Sequence, residues 1–280
     1  MEVKLSEKYG YCYGITNAVK LCEENPKSIV LGKQISHNPH ESKRLEREFG
    51  IIFESDINKI YEGQTVVIRP HGIHRTIENQ LINKGVKLID TTCPSVKRVQ
   101  LLIKQFDESK FRIVLLGSVG HPEVDGIESY STKPILVVKN ACELNALIEN
   151  IGFDYKDKIA LLSQTTKNEK DLFEVYEALK SKYEHVEMIN TTCQPTKEKI
   201  QSVDKLSKEV DLMVVIGGKN SSNTKSLVDV SLKNCPTYLV EDENDIDIKW
   251  FKGKKLCGLT SGSSTPDYSL QAVKKFIEKI

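Results

Sequence analysis

Short apolar runs alternate with amphipathic segments along the whole chain, and this alternation predicts a parallel α/β fold. The runs have the length of buried strands, whereas the segments between them space their apolar residues like helices with one buried face. Four runs occur in residues 14–93 and four more in residues 94–193. They lie at 28–32, 50–53, 65–68 and 86–89, and then at 111–117, 135–138, 159–162 and 186–189. We therefore expect parallel sheets joined by crossover helices.

The last part of the chain is one strand short. Residues 194–280 contain runs at 212–217, 237–240 and 255–259 only, but a further strand pattern stands at the N-terminus, from Val3 to Ser6. We expect this N-terminal strand to complete the third sheet. The expected domains are then residues 14–93, residues 94–193, and residues 194–280 completed by residues 1–13, which closes three similar units into a ring.

A cysteine ends each of these units. The segments Val86–Cys93 and Val186–Cys193 are one design, with a short strand, Asp or Asn, two threonines and a cysteine. A Lys-rich helical segment follows each, at Val96–Phe106 and Thr196–Glu209. Cys12 follows the N-terminal strand in the same way. Three strand-to-helix turns that each carry a thiol indicate an internal threefold repeat that converges on one centre.

Composition narrows the class of protein. The 280 residues carry 40 basic and 39 acidic side chains, a net charge of +1, which argues against a general nucleic-acid or membrane partner. No apolar run approaches the length of a membrane span, and Met1 leads directly into a charged strand without a signal pattern. Seven cysteines, an odd number, favour a reducing compartment with free or metal-bound thiols. A cytoplasmic α/β protein is expected.

Polar motifs follow the first and third strands of each unit, at the carboxyl ends where parallel sheets bind ligands. Most of their side chains are neutral or cationic donors suited to a phosphate or diphosphate. Glu123 is the one carboxylate in these motifs, and it is a candidate proton donor that Thr165 and Thr166 could orient. Its alternative role is a charge that interacts with a helix dipole. The candidate phosphate ligands are His37, His71, His121, Ser221, Ser222, Asn223 and Ser264.

The cysteines at the three turns have few interpretations. The chain has no CxxC pair, which removes the usual support for zinc-ribbon and thioredoxin sites. Thiolates from Cys12, Cys93 and Cys193 could hold a [4Fe–4S] cluster, and three ligands instead of four would leave one iron open to substrate. The alternative is that they are ordinary buried cysteines. The remaining four, Cys22, Cys142, Cys235 and Cys257, are expected to be buried.

The ordered motif series resembles the 4-hydroxy-3-methylbut-2-enyl diphosphate reductase family. The resemblance covers nearly the whole chain, from Cys12 to Asp267. It is carried by Gly10–Gly14, His37-Asn38, Pro70–Gly72, Asp90–Pro94, Gly120–Val124, Gln164–Thr166, Asn190–Cys193, Ser221–Asn223 and Gly262–Asp267.

The resemblance implies three α/β units in a pseudo-threefold trefoil around a central iron–sulfur site. It implies that Cys12, Cys93 and Cys193 bind a [4Fe–4S] cluster with an open fourth iron, and that Glu123 donates protons near the threonine of the Gln-Thr-Thr motif. It assigns the substrate diphosphate to His37, His71, His121, Ser221, Ser222, Asn223 and Ser264.

The implied reaction removes the 4-hydroxyl of the substrate with two electrons and two protons. Isopentenyl and dimethylallyl diphosphate and water are the implied products, within the non-mevalonate isoprenoid pathway. The implied electron source is an external donor of the ferredoxin or flavodoxin type. A different class stays open on the residues alone: a non-catalytic phosphometabolite-binding protein with a zinc or structural metal site made of the three cysteines.

Overall fold

The computed structural model describes residues 1–36, 38–148 and 152–280. Strands and α-helices alternate along these ranges, with three short 3-10 turns at Ile57–Lys59, Glu243–Asp245 and Ile248–Phe251. The strands are β1 (Glu2–Leu5), β2 (Ile29–Leu31), β3 (Ile52–Glu54), β4 (Thr65–Ile68), β5 (Lys87–Asp90), β6 (Arg112–Leu116), β7 (Leu136–Val138), β8 (Lys158–Ser163), β9 (His185–Met188), β10 (Leu212–Ile216), β11 (Thr237–Val240) and β12 (Leu256–Ser261). The helices are α1 (Tyr13–Glu24), α2 (Pro39–Phe49), α3 (Arg75–Asn83), α4 (Pro94–Glu108), α5 (Pro122–Glu128), α6 (Ala141–Leu147), α7 (Glu169–Lys180), α8 (Gln194–Ser207), α9 (Ser222–Ser231) and α10 (Asp267–Glu278).

The strands form three four-stranded sheets, so the predicted α/β class with three parallel sheets is confirmed. Their orders are β3-β2-β4-β5, β7-β6-β8-β9 and β1-β12-β10-β11. When the four strands of each sheet are numbered along the predicted repeat, with β1 as the fourth strand of the last sheet, all three sheets have the strand order second-first-third-fourth. Val3 pairs with Cys257 and Leu5 with Leu259 in parallel register, which is the pairing that the strand count predicts.

Continuous apolar strands lie in the middle of these sheets because helices cover both faces. In the β6–β8 sheet, Val114 and Leu116 pack against α6 and α7 side chains such as Leu144 and Val175. Their neighbour Leu115 packs on the other face, in a cluster with α4 and α5. β10 alternates in the same way between two clusters. Because the paired strands of each sheet are parallel, the motifs that follow them lie at one edge of the sheet.

The chain separates into two compact units. One, the discontinuous unit, comprises Met1–Phe53 and Gln194–Ile280, and the other, the central unit, comprises Glu54–Cys193. The division into three domains at 14–93, 94–193 and 194–280 with 1–13 stays a prediction. Among the described helices, none combines the length and the apolar character needed to cross a bilayer.

Candidate functional site

Each of the three turn cysteines directly precedes a long helix: Cys12 precedes α1, Cys93 precedes α4 and Cys193 precedes α8. All three are partly exposed. The backbone N–H of each cysteine donates to a carbonyl just beyond the neighbouring strand of its own sheet, and we call the residue with that carbonyl the anchor residue. The pairs are Cys93 with Pro70 (3.0 Å), Cys193 with Thr165 (2.8 Å) and Cys12 with Ser263 (3.3 Å).

The repeated Asp/Asn-Thr-Thr-Cys sequence builds the turn at Cys93. The Oδ1 atom of Asp90 accepts from the Thr92 N–H at 2.9 Å, which is a typical Asx turn. The Thr91 hydroxyl donates to the Ile68 carbonyl at 2.5 Å and joins the turn to the end of β4. The side chains of Asp90 and Thr91 therefore hold the backbone of the turn that carries Cys93.

The turn at Cys193 repeats this scheme. Asn190 Oδ1 accepts from the Thr192 N–H at 3.0 Å. The Thr191 hydroxyl donates to the Ser163 carbonyl at 2.7 Å and also accepts from the Ser163 N–H at 2.8 Å. Thr191 therefore satisfies two buried backbone groups of one residue.

The turn at Cys12 is held differently, by groups far away in sequence. The Gly10 N–H donates to Ser261 Oγ at 2.9 Å. Lys199, which is 4% exposed, donates from Nζ to the Gly10 carbonyl and, at 3.1 Å, to Ser263 Oγ. No role was predicted for Lys199, and the signal that the sequence offered was its position six residues after Cys193.

The four other cysteines fall into two groups. Cys22 and Cys257 are fully buried, as expected, and burial raises the pKa of each thiol to about 12, which keeps both protonated and unreactive. The expectation that Cys142 and Cys235 are buried is wrong. Cys142 is exposed because it is the second residue of α6, and Cys235, which follows α9, is partly exposed although it packs against a core cluster of β10.

Glu123 is a buried carboxyl group held by an anchor residue. It is the second residue of α5, it is 2% exposed, and its Oε1 accepts from the Thr165 N–H at 2.7 Å. Burial raises the pKa of Glu123 to about 7, although the bonds from Thr165 lower it in part. Near neutral pH this carboxyl group therefore exists both with and without its proton, as a general acid requires.

His121 caps the helix on which Glu123 lies. Its Nδ1 accepts from the Glu123 N–H at 3.1 Å, so in the neutral ring Nε2 carries the proton and is a donor. The His71 ring meets the His121 ring edge to face, with centroids 5.7 Å apart. The central unit thus brings His71, His121, Glu123 and Thr165 into one neighbourhood.

The backbone conformation at Gly72 explains why the Pro70-His71-Gly72 motif ends in a glycine. Its φ of +77° lies in the left-handed region, and an added Cβ would stand 2.9 Å from Gln100 Nε2 and 3.3 Å from Thr92 Cγ2. A side chain at this position would therefore push against the residue that precedes Cys93.

A second helix start, in the discontinuous unit, repeats the arrangement around Glu123. Ser221 caps α9 by accepting from the Thr224 N–H at 3.3 Å. Asn223 is the second residue of α9, and its Oδ1 accepts from the N–H of the anchor residue Ser263 at 2.8 Å. Ser222 is the first residue of this helix. Asn223 thus corresponds to Glu123, and Ser221 to His121.

Three buried polar atoms at this second helix start have no hydrogen-bond partner among the described residues. They are Nδ2 of Asn223, Oγ1 of Thr224 and Oγ of Ser264, on side chains that are 4%, 0% and 6% exposed. Buried polar groups are normally paired, so unpaired ones indicate a missing ligand or water. A donor amide and a hydroxyl group suit an anionic oxygen.

The residue that follows each anchor residue is polar in all three sheets. Those residues are His71, Thr166 and Ser264, and each is a candidate from the sequence. Thr166 accepts from Gln164 Nε2 at 3.2 Å, whereas it is Thr165 that contacts Glu123. Of the two candidate threonines, the structure therefore brings only Thr165 to the buried carboxyl group.

Two parts of the predicted site, one histidine and the metal centre, are not among the contacts described above. His37 lies outside the described residues. Within those residues, no three His, Cys, Asp or Glu side chains are grouped so that they could hold a single metal ion.

Glu41 is a second buried carboxylate, which the sequence analysis did not identify. It is 1% exposed, and it accepts from Arg44 Nη2 at 2.6 Å and from the Tyr268 hydroxyl at 2.9 Å. Its backbone N–H donates to Asn38, the cap of α2, which is the signal that sequence could have offered. Arg44 balances the charge of Glu41. Glu123 differs, because no cation contributes to its pKa shift.

Comparison with known proteins gives one consistent family. The family model described as LytB protein matches residues 3–278. The chain is 42% identical to the 4-hydroxy-3-methylbut-2-enyl diphosphate reductase of Helicobacter pylori, over the whole of both chains. It is 40% identical to the reductase of that name from Sulfurimonas denitrificans, over 99% of both.

Solved structures give the same result. The E-1-hydroxy-2-methyl-but-2-enyl-4-diphosphate reductase from Plasmodium falciparum superposes with a TM-score of 0.91 at 29% identity, covering 99% of this chain and 87% of that one. A second structure, of an (E)-4-hydroxy-3-methyl-but-2-enyl diphosphate reductase, gives 0.71 at 37% identity, covering 100% and 99%. With the repeated cysteine turns and the buried carboxyl group at an anchor residue, these matches show that the chain belongs to the LytB family.

Proposed function

We propose that the protein is a 4-hydroxy-3-methylbut-2-enyl diphosphate reductase, an oxidoreductase of isoprenoid biosynthesis. The reaction removes the 4-hydroxyl group with two electrons and two protons and yields isopentenyl and dimethylallyl diphosphate and water. Family membership supports the reaction class. The observation that carries the proposal for this chain is Glu123, a buried carboxyl group with a pKa of about 7.

Glu123 is suited to deliver protons to the departing hydroxyl group. Hydroxide is a poor leaving group, and protonation converts it into water. The Thr165 N–H holds Glu123 Oε1 at 2.7 Å, which fixes the direction of the other carboxyl oxygen. We assign Thr165, the threonine in contact with Glu123, to orienting the substrate hydroxyl. Thr166 follows the anchor residue, as His71 and Ser264 do, and contributes to the wall of the site.

The diphosphate is proposed to bind the neutral and cationic donors at the strand ends. His71 and His121 supply ring N–H groups in the central unit. Asn223 and Ser264 supply a buried amide and a hydroxyl group that lack partners among the described residues. Ser221, Ser222 and His37 are assigned to the same role from the sequence motif.

Cys12, Cys93 and Cys193 fit a [4Fe–4S] cluster by their chemistry. Each thiol is partly exposed and directly precedes a helix of twelve or more residues, where the backbone dipoles favour the thiolate. A cluster takes each cysteine at a separate iron, so its ligands need not surround one ion. When bound, it would supply electrons and an open iron that acts as a Lewis acid on the substrate oxygen.

Iron and acid-labile sulfide content of anaerobically purified protein tests the cofactor. We expect about four of each per chain, with a brown colour, and Cys93→Ser should lose most of both. Cys142→Ser, at an exposed cysteine, is the matched control and should keep them. A colourless preparation that contains zinc and still binds phosphate ligands would instead favour the non-catalytic metal-binding protein.

Glu123→Gln tests the proton donor. This variant keeps an oxygen for the Thr165 N–H and loses the titrating proton, so iron content and substrate binding should persist while turnover falls by about a hundredfold or more. A variant with the turnover of the wild type would refute the assignment.

A further inference from the structure

One side of α4, next to Cys93, exposes a large apolar side chain between charged and polar ones. The helix buries Val96, Val99, Ile103 and Phe106 in the core of the central unit. On the opposite side Leu101 is 64% exposed. We define the α4 face as the exposed side chains Pro94, Lys97, Arg98, Leu101 and Gln105, which follow the helical spacing of three and four residues.

Two grooves adjoin along this face. One has a volume of about 260 Å³ and the other about 430 Å³, and Thr92, Lys97 and Leu101 line both. The first extends toward Asp90, Gln100 and Tyr130, and the second toward Arg98 and Gln105. The surface beside the Cys93 turn is therefore concave on both sides of an exposed leucine, a shape that suits a protruding part of another protein.

The charge of the α4 face is positive. The face carries two cations, Lys97 and Arg98, and no acidic residue. The first groove beside it is also lined by Asp90 and Glu78. Lys97 forms an ion pair with Asp90 at 2.5 Å, whereas Arg98 forms no ion pair among the described residues. An exposed leucine beside this arginine complements an acidic protein that binds weakly and leaves quickly.

We propose that the α4 face is the docking surface for a small acidic one-electron carrier protein. The proposal rests on the proposed function, which takes electrons from outside and assigns Cys93, the cap of α4, to the cluster. Per turnover, two reduced carriers each lose one electron and the C–O bond breaks. One proton joins the departing hydroxyl to form water, and the other forms the new C–H bond.

The test compares two electron sources on the holoenzyme. Reduced ferredoxin must dock, whereas dithionite-reduced methyl viologen is a small molecule that needs no protein surface. Arg98→Glu and Leu101→Gln should each raise the KM for ferredoxin about tenfold at low ionic strength, and the Arg98→Glu effect should shrink as salt is added. Turnover with methyl viologen should stay within about twofold of the wild type. Lys170→Glu, which reverses the charge of an exposed cation on α7, is the control and should change neither assay.

Each outcome decides the proposal. Unchanged KM for ferredoxin in both variants overturns it, and so does an equal loss with both electron sources, since the face would then act on the reaction. A change in sedimentation mass would make the face an interface between copies of this chain, which also overturns it. Calorimetric binding of oxidised ferredoxin to wild type and Arg98→Glu decides docking without turnover. Absent activity with methyl viologen would contradict the proposed function instead.

Discussion

The starts of α5 and α9 use one arrangement for two different chemical purposes. In both, the second helical residue accepts a hydrogen bond from the N–H of an anchor residue: Glu123 from Thr165 at 2.7 Å and Asn223 from Ser263 at 2.8 Å. Glu123 is a buried acid that titrates near neutral pH. Asn223 cannot titrate, and its Nδ2 is a buried donor without a partner among the described residues.

This difference shows how a repeated scaffold acquires separate functions. The backbone bond needs only a side-chain oxygen, which both residues have. The rest of the side chain is then free to differ: a carboxyl group can give up a proton, and an amide can donate to an anion at any pH. The third anchor residue, Pro70, has no N–H and cannot hold a carboxyl group in this way. Because the second position holds an amide, Glu123 is the one proton-carrying group at the three anchor residues.

The pH dependence of stability is the largest effect expected from the comparison. The pKa of Glu123 is raised from 4.5 to about 7 in the folded protein. Stability that depends on the proton is therefore present at low pH and lost as pH rises through about 7. Glu123→Gln mimics the protonated acid, so it should match the wild type near pH 5 and exceed it by at most about 3 kcal/mol near pH 9.

Thermal or urea unfolding across this pH range gives the measurement. Asn223→Gln is the control because it introduces no titrating group, and its difference from the wild type should not vary with pH. A constant difference between Glu123→Gln and the wild type would contradict the raised pKa.

The next largest effect is expected from a substitution at Asn223, the second residue of α9. Asn223→Asp keeps the oxygen that accepts from Ser263 but replaces a buried donor with a negative charge. It should raise the KM for the diphosphate substrate about a hundredfold, since a charged hydrogen bond is lost and a repulsion is added. Glu123→Gln should instead lower kcat with little change in KM. Steady-state kinetics that show the same pattern for both variants would remove the distinction drawn here.

The smallest effect concerns the turns that support these positions. Thr191→Val removes a hydroxyl that serves both the N–H and the carbonyl of Ser163, so a buried N–H loses its partner. We expect a loss of about 2 kcal/mol. Thr91→Val should cost about 1 kcal/mol, because the Ile68 carbonyl still accepts from the Thr91 N–H at 3.2 Å. Urea unfolding of the two variants tests the ranking, and equal losses would show that the turns are equivalent after all.

Much of the fold was accessible from the sequence, because strands and turns are local. The runs predicted at 65–68 and 237–240 match β4 and β11. The Asx-Thr-Thr-Cys motif marks two turns, and the Asx hydrogen bond of each joins residues only two positions apart. Helix starts were less accurate. The predicted segments from Val96 and Thr196 begin two residues earlier, at Pro94 and Gln194, since the cysteine itself precedes the first helical residue.

The candidate site was predictable as a set of residues but not as a set of contacts. Glu123 and Thr165 are 42 residues apart, and Asn223 and Ser263 are 40 apart. Lys199 and Gly10 are separated by 189 residues. Such contacts depend on which strands become neighbours, and the order second-first-third-fourth cannot be read from the apolar pattern of a single strand.

The sequence by itself determined the alternation of strands and helices, the threefold repeat, the cysteine turns and the presence of one carboxylate among the strand-end motifs. These features depend on side-chain period and on hydrogen bonds between near neighbours. Only the tertiary structure decided which amide faces which oxygen, and thus that Thr165 rather than Thr166 holds Glu123. It also decided the pKa of Glu123, because burial comes from distant segments packed around the carboxyl group.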